Sequence, residues 1–512
     1  TLCQAQVASN PANLPTSVLL MRAFGDKDTY LRSCYGLLTL NMPYVMSKIL
    51  TRGLNSSDYF FGQNRVGESL ARELCYRVSG KSFNTFPHPK LNPSDHFSFM
   101  DDDYDYFYDK DFAGEDVGGV VRDLKLADSR ISGVVDPEAM AEHLVWEMKF
   151  VKKQSYFTPE LRAQIMLPPG AVVSGAWLMV DGVKREAVFH ERKNARSEYV
   201  VRATNRQSTL LIATAGPGRV LLQSPAVSGD LDLCVQIDSP VKMLNDGKVS
   251  TALPFISERN FGMDGKSTVN LSVLEKNSSD VSVIKNTNVG SKANSFSNAE
   301  LFDGNGATVF SRNAGKTTFI SEDIYDLSKQ VVQSLTKTRI AKSKPVIVVL
   351  DGSDSMAEIS KSICDELQNI KFSDATLIWA SDKPVLLSKH IDTGSLEWKQ
   401  DIGRIRDSAC VGGQDNAAAI LLALHNVGEA GANVVWIHGP QSIKLGQIDL
   451  RKIWPIDNPG GVELFDYQAT LGPNELCRSL DSATWIKPVG HGDGVKGDLR
   501  KVFSELSGQQ DI

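Results

Sequence analysis

The chain has 512 residues, of which 42% are hydrophobic and 23% are charged, and its formal net charge is -6. This length exceeds what one hydrophobic core ordinarily serves, so we expect about two to four domains. The negative charge offers nucleic acid and anionic lipid no general attraction, and no apolar run is long enough to cross a bilayer.

The first part of the chain, residues 1–100, is predicted to be a helical N-terminal region. Residues 66–76 are its clearest amphipathic stretch, because their apolar side chains recur at helical spacing. Pro87, Pro89 and Pro93 then interrupt the pattern. The helical prediction therefore applies mainly to the residues before these prolines.

An acidic linker is predicted over residues 101–137. It begins with the run from Asp101 to Asp111, which has the DxDxD spacing of a calcium-binding EF-hand loop. That loop needs a glycine where Tyr106 stands and a closing glutamate where Phe112 stands, so calcium binding is not expected. A solvated acidic connector is the favoured interpretation.

Period-two hydrophobicity predicts a β-domain over residues 138–240. Trp146, Met148 and Phe150 alternate with charged residues, and turn sequences separate runs of this kind. The pattern is typical of an antiparallel sheet with one solvated face. Residues 241–342 remain strand-like but are rich in Asn, Ser and Gly, which indicates a looser β-rich connector.

The last segment, residues 343–512, alternates strand and helix patterns. Residues 346–350 are unbroken Val, Ile and Leu, as expected for a strand buried on both faces of a parallel sheet. Helical patterns over residues 359–370 and 417–427 are interleaved with further apolar strands. This alternation predicts βαβ units and a Rossmann-like α/β domain. The whole chain is therefore expected to be a multidomain α+β protein.

Three oxygen-bearing side chains follow the first strand of this segment, Asp351, Ser353 and Ser355. Ligands of open α/β sheets bind outside the carboxyl ends of the strands, so the three side chains could face one hard cation such as Mg²⁺. The run resembles the DxSxS motif of the metal-ion-dependent adhesion site in von Willebrand factor type A domains. The resemblance implies a type A fold for residues 343–512.

A second resemblance lies in the β-rich part of the chain. Residues 161–182 contain a Pro-Pro-Gly-Ala turn and an Asp-Gly hairpin, and a basic segment ending at Tyr199 follows. In this order they resemble a VIT domain (vault protein, inter-alpha-trypsin), although residues 205–211 lack the Asp-Pro that the family usually has. A VIT domain before a type A domain is the order in inter-alpha-trypsin inhibitor heavy chains and many bacterial envelope proteins. Residues 73–87 resemble the linker before VIT domains in bacterial exosortase-associated membrane proteins.

The type A resemblance also implies where further metal ligands should lie. The family takes a threonine from a Gly-Gly-Thr-like loop, where this chain has Gln414 followed by Asp415, and an aspartate after a later strand, where it has His438 and Gly439. With few carboxylates, such a site would hold Mg²⁺ weakly. The candidate ligands are Asp351, Ser353, Ser355, Gln414 and Asp415. The alternative is a retained fold without metal, in which the acid and the serines cap the following helix.

These resemblances imply a non-enzymatic interaction or adhesion module of the cell envelope or extracellular space, with a protein partner and no nucleic acid. The chain opens on Thr1 rather than methionine, so we expect an upstream segment, which could include a signal peptide or membrane anchor. The alternative function is a hydrolase or processing factor linked to envelope protein sorting. It would use Ser353 or His438, which is expected near Ser353 in a type A topology. Gly-x-Ser-x-Gly is absent, so the sequence favours the interaction module and leaves the oligomeric state open.

Overall fold

A computed structural model gives a mixed α and β protein with several separate sheets, which confirms the coarse fold class. No helix within the described residues is long and apolar enough to cross a membrane. The acidic run over residues 101–111, predicted to be a solvated connector, lies outside the described residues. The structure describes residues 14–24, 27–35, 65–89, 114–137, 139–152, 159–226, 230–243, 249–276, 282–288, 295–297, 308–310, 318–322, 328–334, 344–443, 461–480, 484–491 and 494–507.

The described N-terminal residues form a small helical unit, which we call the helical cap. Its helices are α1 (Leu14–Phe24), α2 (Lys27–Cys34) and α3 (Arg65–Ser79). Helix α3 covers the amphipathic stretch predicted at residues 66–76, and its buried face packs on Met21 of α1 and Cys34 of α2. Gly80 follows the last residue of α3, and its φ of 72° lies in the left-handed region that glycine adopts easily and that ends a helix.

The next part of the chain is a two-sheet β-unit with one helix. The larger sheet has the order β13-β12-β1-β2-β8-β4-β5, with β14 also paired to β12, and the smaller sheet has the order β11-β3-β7-β6. Buried residues of both sheets form one hydrophobic core. The elements of these two sheets are β1 (Val121–Asp136), β2 (Ala141–Lys152), β3 (Glu160–Met166), β4 (Val172–Val180), β5 (Val183–Glu186), β6 (Leu211–Thr214), β7 (Arg219–Pro225), β8 (Leu231–Pro240), β11 (Phe255–Arg259), β12 (Phe261–Lys276), β13 (Ser282–Asn288) and β14 (Ser295–Ser297), and the helix is α4 (Arg192–Thr204). A separate three-stranded sheet has the order β15-β10-β9, with β9 (Lys242–Met243), β10 (Val249–Thr251) and β15 (Thr308–Phe310), and a two-stranded sheet consists of β16 (Thr318–Glu322) and β17 (Gln330–Ser334).

The alternation predicted around Trp146 is confirmed, because Trp146, Met148 and Phe150 of β2 all lie in the core. The structure differs at β1, which occupies much of the predicted acidic linker. It pairs antiparallel with β2 and parallel with β12, a strand from the predicted connector. A register shift between Leu126 and Asp128 moves the buried side chains of β1 from even to odd positions. This change of phase hides the period-two pattern in the sequence.

The β-unit contains a buried acid that should make stability depend on pH. Burial raises the pKa of Glu142 from 4.5 to about 8, although a hydrogen bond from Ser239 opposes the shift. An acid with a raised folded-state pKa gives stability that is lost as pH rises through that pKa. We expect the free energy of unfolding to fall by roughly 2–4 kcal/mol between about pH 5 and about pH 9, and Glu142→Gln to remove most of that fall. Urea denaturation at both pH values checks this, with the exposed Glu186→Gln as control; an equal fall in both variants would contradict it.

The C-terminal part is a six-stranded sheet with helices on both faces, here called the α/β unit. The sheet order is β20-β19-β18-β21-β22-β23, and neighbouring strands are parallel except for β19 and β20. Separate apolar clusters cover its two faces, as predicted for a βαβ segment. The elements are β18 (Val346–Asp351), α5 (Ala357–Leu367), β19 (Ala375–Ala380), β20 (Val385–Ile391), α6 (Leu396–Asp407), α7 (Ala417–His425), β21 (Asn433–His438), β22 (Glu463–Gln468), α8 (Glu475–Arg478), β23 (Ile486–Pro488) and α9 (Gly494–Leu506).

Strand β18 marks the point at which the order of successive strands in the sheet reverses. Counted along the chain, the six strands have the order 3-2-1-4-5-6 of a doubly wound sheet, so the chain leaves β18 on one side and returns beside it as β21. Ligands of such sheets bind at the carboxyl ends of the strands next to this point. The loops after β18 and β21 therefore define the edge where a site is expected.

Candidate functional site

The carboxylate of Asp351 is the centre of a buried hydrogen-bond network at this edge. Its Oδ1 accepts hydrogen bonds from Ser353 N at 3.0 Å, Ser353 Oγ at 2.7 Å and Asn416 Nδ2 at 3.1 Å. Its Oδ2 accepts from Gly439 N at 3.0 Å and Gln441 Nε2 at 3.4 Å. A carboxylate has about four lone-pair positions, so five protein donors saturate this one. Burial raises the pKa of Asp351, and the bonds from Ser353, Asn416 and Gly439 oppose that rise.

Two more of the predicted metal ligands, Gln414 and Ser355, lie at this edge, but their side-chain oxygens do not bond to Asp351. Gln414 approaches with its backbone, since its N–H donates to Ser353 Oγ at 2.9 Å while its side-chain Nε2 donates to Val411 O at 2.7 Å. Ser355 Oγ lies against the backbone of Gly439. In the part of the chain that the structure describes, Ser355 Oγ and Gln414 Oε1 are buried oxygens without a hydrogen-bond partner.

Asp415, the fifth predicted ligand, has other bonds. Its Oδ1 accepts from Ala417 N at 3.1 Å at the start of α7, and its Oδ2 lies 3.8 Å from Arg77 Nη2 of the helical cap. Burial raises the pKa of Asp415, and Arg77 opposes the rise. Asp415 therefore bonds to the first residue of α7 and pairs with a cation, and these roles leave Asp351 as the carboxylate of the network.

The arrangement does not fit a metal ion as it stands. A cation at Asp351 would have to replace donors that already use both carboxylate oxygens, and hard cations bind in proportion to their available carboxylates. Among the described residues there is no group of three or more His, Cys, Asp and Glu that could hold an ion. What this geometry supports is a polar core, centred on the saturated Asp351 carboxylate, that fixes the loops after β18 and β21.

The sequence analysis missed Tyr76 of α3, which enters this network from the helical cap. Its ring is 0% exposed, and its hydroxyl donates to Pro440 O and lies 3.3 Å from Ser353 Oγ. Gln441 Nε2 donates to the same hydroxyl at 3.4 Å. Burial raises the pKa of Tyr76, and the nearby Asp351 adds to the rise, so the phenol is neutral at physiological pH.

A second buried cluster joins the β-unit to the α/β unit. Arg219 Nη1 of β7 donates to Asp466 Oδ2 of β22 at 2.7 Å, and both side chains are 0% exposed. His438 Nε2 shares a hydrogen bond with Asp466 Oδ1 at 2.7 Å, and its ring stacks on Trp436. Burial acts to raise the pKa of Asp466, but Arg219 and His438 outweigh it and lower that pKa below its usual value. His438 thus has a structural, hydrogen-bonding role in this cluster.

No family model matches the chain, and no curated protein matches it. Similar solved structures include BatB from Bacteroides thetaiotaomicron, 15% identical over 32% of this chain and 98% of that chain, with a TM-score of 0.24. An aerotolerance-related membrane protein from Bacteroides fragilis is 14% identical over 33% of this chain and 100% of that chain, with a TM-score of 0.23. Proximal thread matrix protein 1 from the mussel byssus, with a zinc-occupied MIDAS motif, is 11% identical over 33% of this chain and 47% of that chain, with a TM-score of 0.23. These low values assign neither family nor activity.

Proposed function

We propose that the chain is a non-enzymatic protein-interaction module of the cell envelope or extracellular space. In this proposal residues 343–512 are a type A-like domain and residues 138–240 belong to a VIT-like domain. The strand order 3-2-1-4-5-6 and the position of the DxSxS run at the end of β18 support the first assignment. The hairpin of β4 and β5 with helix α4 after it supports the second, as does its sequence resemblance. The envelope location depends on the resemblances alone.

One observation carries the proposal: the carboxyl edge of the α/β sheet, where ligands of such sheets bind, contacts helix α3 of the same chain. Helix α3 meets this edge through Tyr76 and through the backbone, where Gly413 N donates to Arg77 O at 3.1 Å. An edge shaped to receive side-chain and main-chain groups from a helix is suited to binding protein. It is less suited to binding a small substrate, since the polar atoms of the network are buried.

The side chains considered for hydrolysis are used in other ways. Ser353 Oγ donates to Asp351 Oδ1 at 2.7 Å, and His438 bonds to Asp466 and to Gly439 O. A serine nucleophile needs a base within hydrogen-bond reach of its hydroxyl, and an acid that itself accepts five hydrogen bonds is a poor base. This geometry favours the interaction module over the hydrolase.

Site-specific photocrosslinking in cells of the source organism tests the proposed function. A photoreactive residue replaces Val411, which is 45% exposed on the loop beside Ser353, and in a second chain it replaces Ser373 near the amino ends of the strands. We expect a discrete protein adduct from position 411 and none from position 373. Equal adducts from both positions would contradict a partner site at the carboxyl edge, and so would the absence of an adduct from position 411 in every chain tested.

A further inference from the structure

We propose that the crevice between the loops after β18 and β21 is a recognition site for a tyrosine hydroxyl presented on a helix, and that α3 of the same chain is its occupant. The proposal depends on the interaction function proposed above, because it identifies what closes the edge to a partner. A partner that docks at this edge must displace α3. The helical cap is thus an internal competitor for the partner.

The first step is the match between the crevice and a phenol. A tyrosine hydroxyl has one proton to donate and can accept hydrogen bonds. Here the carbonyl oxygen of Pro440 accepts a hydrogen bond from the Tyr76 hydroxyl. The side-chain amide of Gln441 donates a hydrogen bond to the same hydroxyl at 3.4 Å. Ser353 Oγ lies 3.3 Å from the phenol oxygen, and its own proton is donated to Asp351 Oδ1 at 2.7 Å. A phenylalanine ring in the same place would leave the Pro440 carbonyl and the Gln441 amide without this partner.

The second step is the close approach of the two backbones. A Cβ atom added at Gly413 would lie 2.5 Å from Tyr76 Cε1. Any larger residue at position 413 would therefore displace the Tyr76 ring. Gly412 has a φ of 52°, and its carbonyl oxygen accepts from Asp354 N at 2.7 Å. The Gly-Gly pair therefore lets the end of α3 lie flat on the loop before α7.

The third step is a set of charged contacts at the border of the crevice. Arg22 of α1 donates from Nε to Arg77 O at 2.8 Å and from Nη1 to Asp382 Oδ2 at 2.7 Å. Asp382 belongs to the turn after β19, and its side chain is 39% exposed. Exposed ion pairs contribute little to stability, about 0–1 kcal/mol. These charged contacts therefore orient the helical cap on the α/β unit more than they strengthen its binding. The Tyr76 hydroxyl is then the buried anchor of the contact.

The fourth step is the state of two oxygens beside the network. Ser355 Oγ and Gln414 Oε1 are buried next to this network and lack a hydrogen-bond partner within the described residues. A buried polar atom left unpaired costs about 1–3 kcal/mol. The closed network is therefore less stable than one in which every buried oxygen is paired, which favours a closed state that a partner can displace.

Peptide binding to the full chain tests the proposal. The probe is a fluorescent synthetic peptide with the sequence of residues 65–80, and a matched peptide carries Phe in place of Tyr76. We expect the Tyr76→Ala chain to bind the first peptide at least about tenfold more tightly than the matched peptide, a difference of about 1.4 kcal/mol. The wild-type chain should bind the first peptide at least about tenfold more weakly than Tyr76→Ala does, because its own helix competes at high effective concentration. Equal binding of the two peptides would overturn the proposal.

Hydrogen exchange of the Tyr76→Phe chain covers the case in which Tyr76→Ala does not fold. Loss of one hydroxyl should accelerate amide exchange in residues 411–416 by at least about tenfold, since 1.4 kcal/mol of local stability is a factor of ten in opening. Tyr199→Phe is the matched control, because it removes a buried hydroxyl that bonds to Glu160 in the β-unit. Unchanged exchange in Tyr76→Phe would overturn the proposal.

The same variants separate this inference from the proposed function. If α3 competes with a partner, Tyr76→Phe should increase the photocrosslinked adduct from position 411. Absence of any adduct in wild type and variants would overturn the interaction function, while the peptide titration still decides whether the crevice recognises a tyrosine.

Discussion

Arg219→Met is expected to lower the free energy of unfolding by about 3–5 kcal/mol near neutral pH. Arg219 and Asp466 are both fully buried, and the variant leaves the aspartate in the interior without its cation. The pKa of Asp466 should then rise above that in wild type, because only His438 is left to oppose the effect of burial. The loss should therefore be larger near pH 7 than near about pH 4, where the variant's aspartate can take up a proton. Urea denaturation at both pH values measures the difference.

Two further chains separate the ion pair from general packing. Arg219→Met combined with Asp466→Leu removes both charges and should cost less than Arg219→Met alone. Arg202→Met removes an exposed arginine that pairs with Glu198 and should change stability by less than about 0.5 kcal/mol. A double variant at least as unstable as Arg219→Met alone would contradict the dependence of the two charges on each other.

The sequence predicted the elements whose own residues carry a complete pattern. The apolar run before Asp351 indicated a fully buried strand, and β18 is that strand. The helical spacing of residues 417–427 likewise indicated α7, which ends at His425. Both predictions succeed because burial on two faces, or on one helix face, is visible within a short window. Strand β1 was not predicted because its bulge breaks the alternation inside such a window.

The contacts that close the site are of a different kind. Tyr76 meets Ser353 across a separation of 277 positions, and Arg219 meets Asp466 across 247. In the sequence Tyr76 is one more residue on the apolar face of α3, and Arg219 is a charge at the start of a strand. No local spacing indicates that either is fully buried. Such pairs become visible only when the topology has brought three separate segments together.

The decisive property of the edge is that protein donors saturate Asp351. Asp351→Ala should lower the free energy of unfolding by about 3–5 kcal/mol, because the buried N–H groups of Gly439 and Asn416 lose their acceptor and each unpaired group costs about 1–3 kcal/mol. Asp351→Asn keeps the shape and one acceptor oxygen and should lose less than half as much. The exposed Asp354→Ala is the control and should change stability by less than about 0.5 kcal/mol.

Calorimetric titration of the same chains with Mg²⁺ distinguishes this closed network from a metal site. If Asp351 serves the network, wild type should release no heat with unit stoichiometry, and chelator should leave its melting temperature unchanged. Heat of unit stoichiometry that Asp351→Ala abolishes would contradict this and would mean that the cation replaces the donors around the carboxylate. Tyr76→Phe loosens the helix above Ser353 and keeps all five donors to Asp351. If binding appeared only in that variant, α3 rather than the carboxylate's own donors would be what excludes the ion.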